Sequence, residues 1–379
     1  MAPPSPASRA SARPLPLDAL YEVLLRVPAK DLCRFRAVCW PWRSLLSDPR
    51  FVAAHAARHP GPLIVAARDT DRSAAGPNVD IRDLSGRVIK RVVAPGSFWE
   101  VGNRVTTAQV DGDCLLLGNK MSCLLLNPST GAVSELPQGF AKGHSVREWQ
   151  SSKCRHLLAF GKVASTGEYK VLRLLHAYYH FGHQCEVITL DGSSHAWWRG
   201  KNASPGVVRF NHWSRVTIDG IVYFLLYEDV MVREENTMPV RLASFDLETE
   251  EWRAILRGPL NLMTTRTTDI SVASLNGCLV VVHYAQCSFM NLWFLMDFEE
   301  GLWAKQHSIL LNSGLPVQPL FVLNDGKIVT YCELKRLLRI YDPKTCTYID
   351  VAEVGRYEIG LHTRNLLSLP DGTGAQLVS

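Results

Sequence analysis

The sequence predicts a mainly β protein with a small α-helical module at its N-terminus. Three observations carry this reading. Apolar residues with helical spacing are confined to the first sixty positions. From Pro62 onward, short Val, Ile, Leu, Phe and Tyr runs alternate with Gly, Asn, Asp and Pro, as strands alternate with turns. That second region also contains one layout that recurs six times.

Bulk properties narrow the class. Hydrophobic residues make up 47% and charged residues 20% of the 379 positions, the balance of a soluble globular chain. Apolar runs such as Cys278 to Val282 are too short to span a bilayer, so no membrane partner is expected. The net charge of +5 lies entirely in residues 1–60, which hold nine Lys/Arg against four acids. The remaining residues balance at 32 against 32. A basic module beside a neutral body suits one acidic protein partner rather than nucleic acid. The ten Cys form no CxxC pair, and the start MAPPSPASRASAR lacks an apolar signal core. These features lead to an expectation of reduced cysteines and residence in the cytoplasm, the nucleus or both. An Arg/Ser-rich, acid-free start also fits an organelle transit peptide, but helical patterning begins almost at once, at Leu15.

Residues 1–13 are Pro, Ala, Ser and Arg, too polar to pack, and read as a disordered tail. In the next stretch Pro16 suits a first helical position, and Asp18 and Glu22 favour the positive end of the helix dipole. Leu20, Val23, Leu24 and Val27 fall on one helical face, and Pro28 stops the helix. A second short helix carries Leu32, Phe35, Val38 and Cys39. A third is expected to start at or just before Pro41, with Trp42, Leu45 and Leu46, and to end at Asp48-Pro49. So small a unit buries too little surface to be robust alone. Part of its apolar surface must meet something else.

The stretch LPLDALYEVLLRVPAKDLCRFRAVCWPWRSLLSDPRF resembles an F-box, matching its pattern at Leu15, Pro16, Val23, Leu24, Pro28, Leu32, Phe35, Val38, Cys39, Trp42, Leu45, Pro49 and Phe51. Trp40-Pro41 departs from the pattern, which usually has a polar or basic pair there. The resemblance implies binding to a Skp-family adaptor, and through it to cullin and RING subunits. It places that contact on Leu15, Pro16, Leu20, Val23, Leu24, Pro28, Leu32, Val38, Cys39 and Trp42, with Trp42 the expected anchor because buried Trp side chains dominate many interfaces. The alternative is a small helical cap on the following domain.

The six recurrences each pair an Asx-led turn with a bulky residue six positions later: Asp83 with Ile89, Asn127 with Val133, Asp191 with Trp197, Asp246 with Trp252, Asp297 with Trp303, and Asp342 with Tyr348. An Asx side chain can hydrogen-bond its own backbone two residues on, which favours the turn. Asp111-Gly112, Asp219-Gly220, Asn276-Gly277 and Asn324-Asp325-Gly326 precede apolar strands and read as hairpin turns. The Asx turns lie 44, 64, 55, 51 and 45 residues apart, near the kelch period of about 50. One four-stranded blade per repeat gives a β-propeller of about six blades. Such a ring must close its edges, and Leu361 to Leu369 is the expected closing strand. The layout is therefore a tail at 1–13, the F-box at 14–58 and the propeller at 62–370.

The second region also resembles the F-box-associated, kelch-like domain, through Gly161, Thr166 to Leu174, Cys185 to Leu190 and Trp197-Trp198, and through the turn at Asn127. This implies a propeller that binds a protein destined for ubiquitination, with target contacts unassigned. No phosphate loop, GxSxG elbow or HExxH is present, so no catalytic residue or cofactor is expected. His176, His180, His183 and Cys185 have zinc-ligand chemistry, yet no second ligand pair accompanies them, and they read as loop and strand residues. The expected function is substrate recognition within a Skp–cullin–F-box ubiquitin ligase. The alternatives are an F-box protein in a non-ligase adaptor complex, and a propeller lectin or enzyme.

Overall fold

A computed structural model describes residues 17–27, 32, 35, 38–58, 63–68, 78–93, 107–111, 114–118, 123–127, 132–137, 139–142, 155–176, 183–190, 197–227, 239–262, 269–286, 288–311, 317–354 and 357–362. The chain forms two compact units, one within residues 1–60 and one at 61–363.

The first unit is helical: α1 is Leu17–Leu24, α2 is Trp40–Ser47 and α3 is Pro49–Arg58, with Leu32 and Phe35 also in helical backbone. Helix α2 begins at Trp40 after an extended Cys39, so Pro41 falls in its first turn, where the missing N–H has no helical partner to lose. Helix α3 was not expected, because Asp48-Pro49 reads as a stop. The same pair is also a start: Pro49 occupies the first helical position, and Asp48 Oδ1 accepts the Arg50 N–H at 2.7 Å. This helix contributes Phe51 to a core with Leu24, Leu25, Leu32 and Leu46. The buried His55 ring hydrogen-bonds the Val27 carbonyl through Nε2 at 2.8 Å.

The second unit is a six-bladed β-propeller. Each blade is an antiparallel sheet with four strands along its path. Blade 1 joins Tyr357–His362 to Leu63–Arg68, Asn78–Arg82 and Val88–Val93. Blade 2 is Thr107–Asp111, Cys114–Gly118, Cys123–Leu126 and Val133–Glu135. Blade 3 is Arg155–Lys162, Tyr169–His176, Gln184–Leu190 and Arg199–Lys201. Blade 4 is Arg215–Ile218, Ile221–Leu225, Pro239–Asp246 and Glu251–Trp252, with Leu256–Asn261 also pairing its third strand. Blade 5 is Ile270–Leu275, Cys278–Ala285, Phe289–Asp297 and Leu302–Leu310. Blade 6 is Gln318–Val322, Ile328–Cys332, Leu337–Asp342 and Thr347–Glu353.

The closing strand lies four residues earlier than the sequence places it. Tyr357–His362 pairs antiparallel with Leu63–Arg68, from Leu63↔His362 to Arg68↔Tyr357. Tyr357, Ile359 and Leu361 alternate with Glu358, Gly360 and His362, the two-residue period of a strand. Residues 363–369 lie outside the described residues.

Among the described residues the recurring Asx turns at Asp83, Asp246, Asp297 and Asp342 join the third and fourth strands of their blades. Asp246 Oδ1 accepts the N–H of Glu248 at 2.8 Å, Asp297 Oδ1 that of Glu299 at 2.8 Å, and Asp342 Oδ1 that of Lys344 at 2.9 Å. The turns leave by a left-handed residue, Glu250, Gly301 or Cys346 respectively. Asp191 and Gly112 lie outside the described residues. At Asp219-Gly220 and Asn276-Gly277 both residues have positive φ, as type I′ hairpins require.

The bulky residue after each turn has a specific task in blades 3, 4 and 5. Trp198 Nε1 donates to the Pro137 carbonyl at 2.9 Å, Trp252 Nε1 to Asn202 at 2.9 Å, and Trp303 Nε1 to Arg257 at 2.8 Å. Each indole thus ties its blade to the preceding one while its ring fills the gap between sheets. In blade 3 the expected residue was Trp197, but the stapling residue is Trp198. Trp198 is 7% exposed and Trp197 73%, because neighbouring strand residues face opposite ways.

Polar ties add to these. Glu250 of blade 4 meets three cations of blade 3: Lys170 at 2.9 Å, Arg199 at 2.5 Å and Lys201 at 2.5 Å. Within blade 3, Arg173 pairs with the buried Glu186 and lies 3.8 Å from the Trp198 ring centroid. Side-chain amides cover backbone on the inner strands. Gln109 donates to the Phe160 carbonyl at 2.8 Å and accepts its N–H at 3.0 Å. Asn276 does the same for Val322, at 3.0 and 3.3 Å. These contacts satisfy strand-edge groups that would otherwise lack partners.

Candidate functional site

The helical unit divides its apolar residues between two tasks. Leu24 and Leu32 are buried in its own core, and Leu20 and Trp42 pack against that core. The Trp42 ring meets Phe35 edge-on, with centroids 5.3 Å apart. By contrast Trp40 is 78% exposed, Val38 65% and Val23 52%, and Cys39 is exposed as well. Among the described residues Trp40 is the most exposed large apolar side chain. Exposing these groups carries a cost that a covering partner would recover, since full burial of one such side chain contributes about 1.5–3 kcal/mol. Leu15, Pro16 and Pro28 lie outside the described residues.

The histidine cluster has a different role. The Val208 N–H donates to His183 Nε2 at 2.7 Å, which occupies the lone pair a metal would need. His183 also contacts the His176 and Phe210 rings, with centroids 4.9 and 5.0 Å away. Burial, and secondarily the neighbouring His176, pulls the His183 pKa down to about 4, so the ring is neutral near pH 7. Burial pushes the Cys185 thiol up to about 12. His180 lies outside the described residues. Among the described residues no three His, Cys, Asp or Glu side chains gather as metal ligands, and no helix is long and apolar enough to cross a membrane.

The matches to known proteins run along both units. Residues 14–53 match the F-box domain, and residues 100–351 match the F-box associated beta propeller domain. The chain belongs to the F-box associated β-propeller family. An F-box/LRR-repeat protein from Arabidopsis thaliana is 25% identical, over 93% of this chain and 82% of its own length. An F-box/kelch-repeat protein from the same plant is 26% identical, over 86% and 87%. Another Arabidopsis F-box protein is also 26% identical, over 89% and 87%.

In this F-box protein the pattern-derived residues fall into two groups that sequence spacing cannot separate. Both Trp40 and Trp42 lie on α2, two positions apart, and helical geometry turns them to different sides. Trp42 matches the family pattern yet is partly covered from within. Trp40, which departs from that pattern, presents the larger open surface. The signal for this was present in the sequence, in a Trp beside a helix-opening Pro, where the chain enters the helix from outside.

Proposed function

We propose that the chain is the substrate-recognition subunit of a Skp–cullin–F-box ubiquitin ligase. The helical unit docks on a Skp-family adaptor through Val23, Val38, Cys39 and Trp40, while Leu24, Leu32 and Trp42 hold that surface in shape. The propeller binds the protein to be ubiquitinated. Its contribution is proximity, since holding a target beside the charged enzyme raises effective concentration without a catalytic side chain of its own. The assembly works in the cytoplasm, the nucleus or both. The observation that carries this reading is the open apolar surface at Val23, Val38 and Trp40 on so small a helical unit.

Co-expression with a plant Skp-type adaptor and cullin tests it. Both proteins co-purify with the wild-type chain. Burying the ring of a central Trp often contributes at least about 2 kcal/mol, so Trp40→Ala weakens adaptor binding roughly thirtyfold while the propeller unfolds at an unchanged temperature. Recovery of adaptor without cullin would instead support a non-ligase complex. Recovery of neither removes the proposal.

A further inference from the structure

Among the described residues of the propeller, Arg209 has no ion-pair partner. Residues 207–209 pair with the end of blade 4's second strand: the Tyr227 N–H donates to the Val207 carbonyl at 2.6 Å, and the Arg209 N–H to the Leu225 carbonyl at 3.0 Å. Val208 and Leu226 bridge one another and are buried in one core cluster. Strand alternation therefore turns Val207, Arg209 and Tyr227 to the opposite side, the side on which Leu225 packs toward blade 5. Val207 and Tyr227 remain exposed there. Arg209 is half-buried, and its Nη1 donates to the Ile270 carbonyl of blade 5 at 3.2 Å.

Among the described residues no carboxylate pairs with this guanidinium. Burial alone lowers its pKa, with no neighbouring acid opposing the shift. A desolvated arginine answered only by one carbonyl keeps donors free for a planar anion. Two apolar side chains flank it. This juxtaposition has the form of a recognition site, a charged group in a partly dry setting beside apolar anchors.

We infer that the junction of blades 4 and 5 at Val207, Arg209 and Tyr227 is where the target docks, taking an extended segment in which an anionic group sits beside large apolar residues. The anion seats on Arg209 and the apolar neighbours on Val207 and Tyr227. This rests on the reading that the propeller holds a target. The anion is the carboxylate of an acidic side chain, whose planar pair of oxygens matches the guanidinium fork.

Three capped peptides distinguish the cases when titrated against the full chain by fluorescence polarisation: leucine alternating with aspartate, with phosphoserine, and with asparagine. The aspartate peptide binds, the asparagine peptide binds at least about tenfold more weakly, and tighter binding of the phosphoserine peptide than of the aspartate one overturns the carboxylate assignment. Arg209→Met weakens that binding by about tenfold or more with only a small change in melting temperature, because the lost hydrogen bond to the Ile270 carbonyl is offset by removal of a partly desolvated charge. Val207→Asp, at an exposed position, cancels the same charge without touching the core and causes the same loss. Equal binding of the asparagine peptide, full affinity in both variants, or a large fall in melting temperature for Arg209→Met overturns the inference. Co-purification with adaptor and cullin is read separately. If it persists while the peptides fail, only this site falls.

Discussion

Replacing Glu250 with Gln removes one negative charge from a site holding three cations of the neighbouring blade. The Glu250 side chain is 11% exposed, and burial alone would raise its pKa. Hydrogen bonds from Lys201, Lys170 and Arg199 outweigh that effect and hold the carboxyl at about 2, against an ordinary 4.5. Each tenfold change in proton affinity corresponds to about 1.4 kcal/mol, which sets an upper figure of about 3 kcal/mol for the ionised group at neutral pH. Arg199 is well exposed and Lys201 partly so, and solvent screening brings this down to roughly 2 kcal/mol. For a unit of this size that corresponds to a melting temperature lower by roughly 3 °C. The sign fixes the pH window. The folded pKa lies below the unfolded one, so the stabilisation is complete above about pH 4.5 and is lost as pH falls toward about 2. Urea unfolding of wild type and Glu250→Gln from pH 7 to pH 3 should show a gap that narrows only below about pH 4.5. Equal stability at pH 7, or a gap unchanged at pH 3, would refute the assignment of Glu250 as the tie between blades 3 and 4.

Other substitutions test the remaining contacts. Trp303→Phe keeps a ring between blades 4 and 5 but leaves the Arg257 carbonyl without its indole donor, and should lower stability by about 1 kcal/mol in denaturant titrations. Asn276→Ala removes both bonds to Val322 and places a Cβ-bearing residue without a compensating amide at positive φ, costing about 1–3 kcal/mol. Trp42→Ala opens a cavity against Phe35 and should unfold the helical unit at lower temperature, by about 3 kcal/mol. Loss of adaptor binding in that variant should therefore track lost helical circular dichroism, unlike Trp40→Ala, where the helices persist.

Six-blade organisation was legible because each turn has its own local chemistry. Asp246, Asp297 and Asp342 bond their own backbones, so the period is written in short segments. Helix faces in the first unit were legible only in part: Leu20, Leu24 and Val27 meet the core as their spacing predicts, but Val23, placed on the same face, is exposed. The rest depended on partners distant in sequence. Whether Trp197 or Trp198 turns inward is decided by the carbonyl of Pro137 on another blade. Whether Trp40 or Trp42 is covered is decided by Phe35. Asp48-Pro49 is locally ambiguous between ending and starting a helix, and the core that accepts Phe51 resolves it. Arg209 has no motif at all, because what marks it is the lack of a paired acid among the described residues, a property of three dimensions.

The pairing of Tyr357–His362 with Leu63–Arg68 has a kinetic consequence. Most strand pairs form between sequence neighbours and can assemble as hairpins within microseconds, but this one joins segments almost a whole domain apart. Its loop-closure entropy must be met before any contact rewards it. Individual blades can therefore gather early and wait on one late event. Until that event the first blade keeps a bare strand open to chaperones or to misassembly with another unfinished ring.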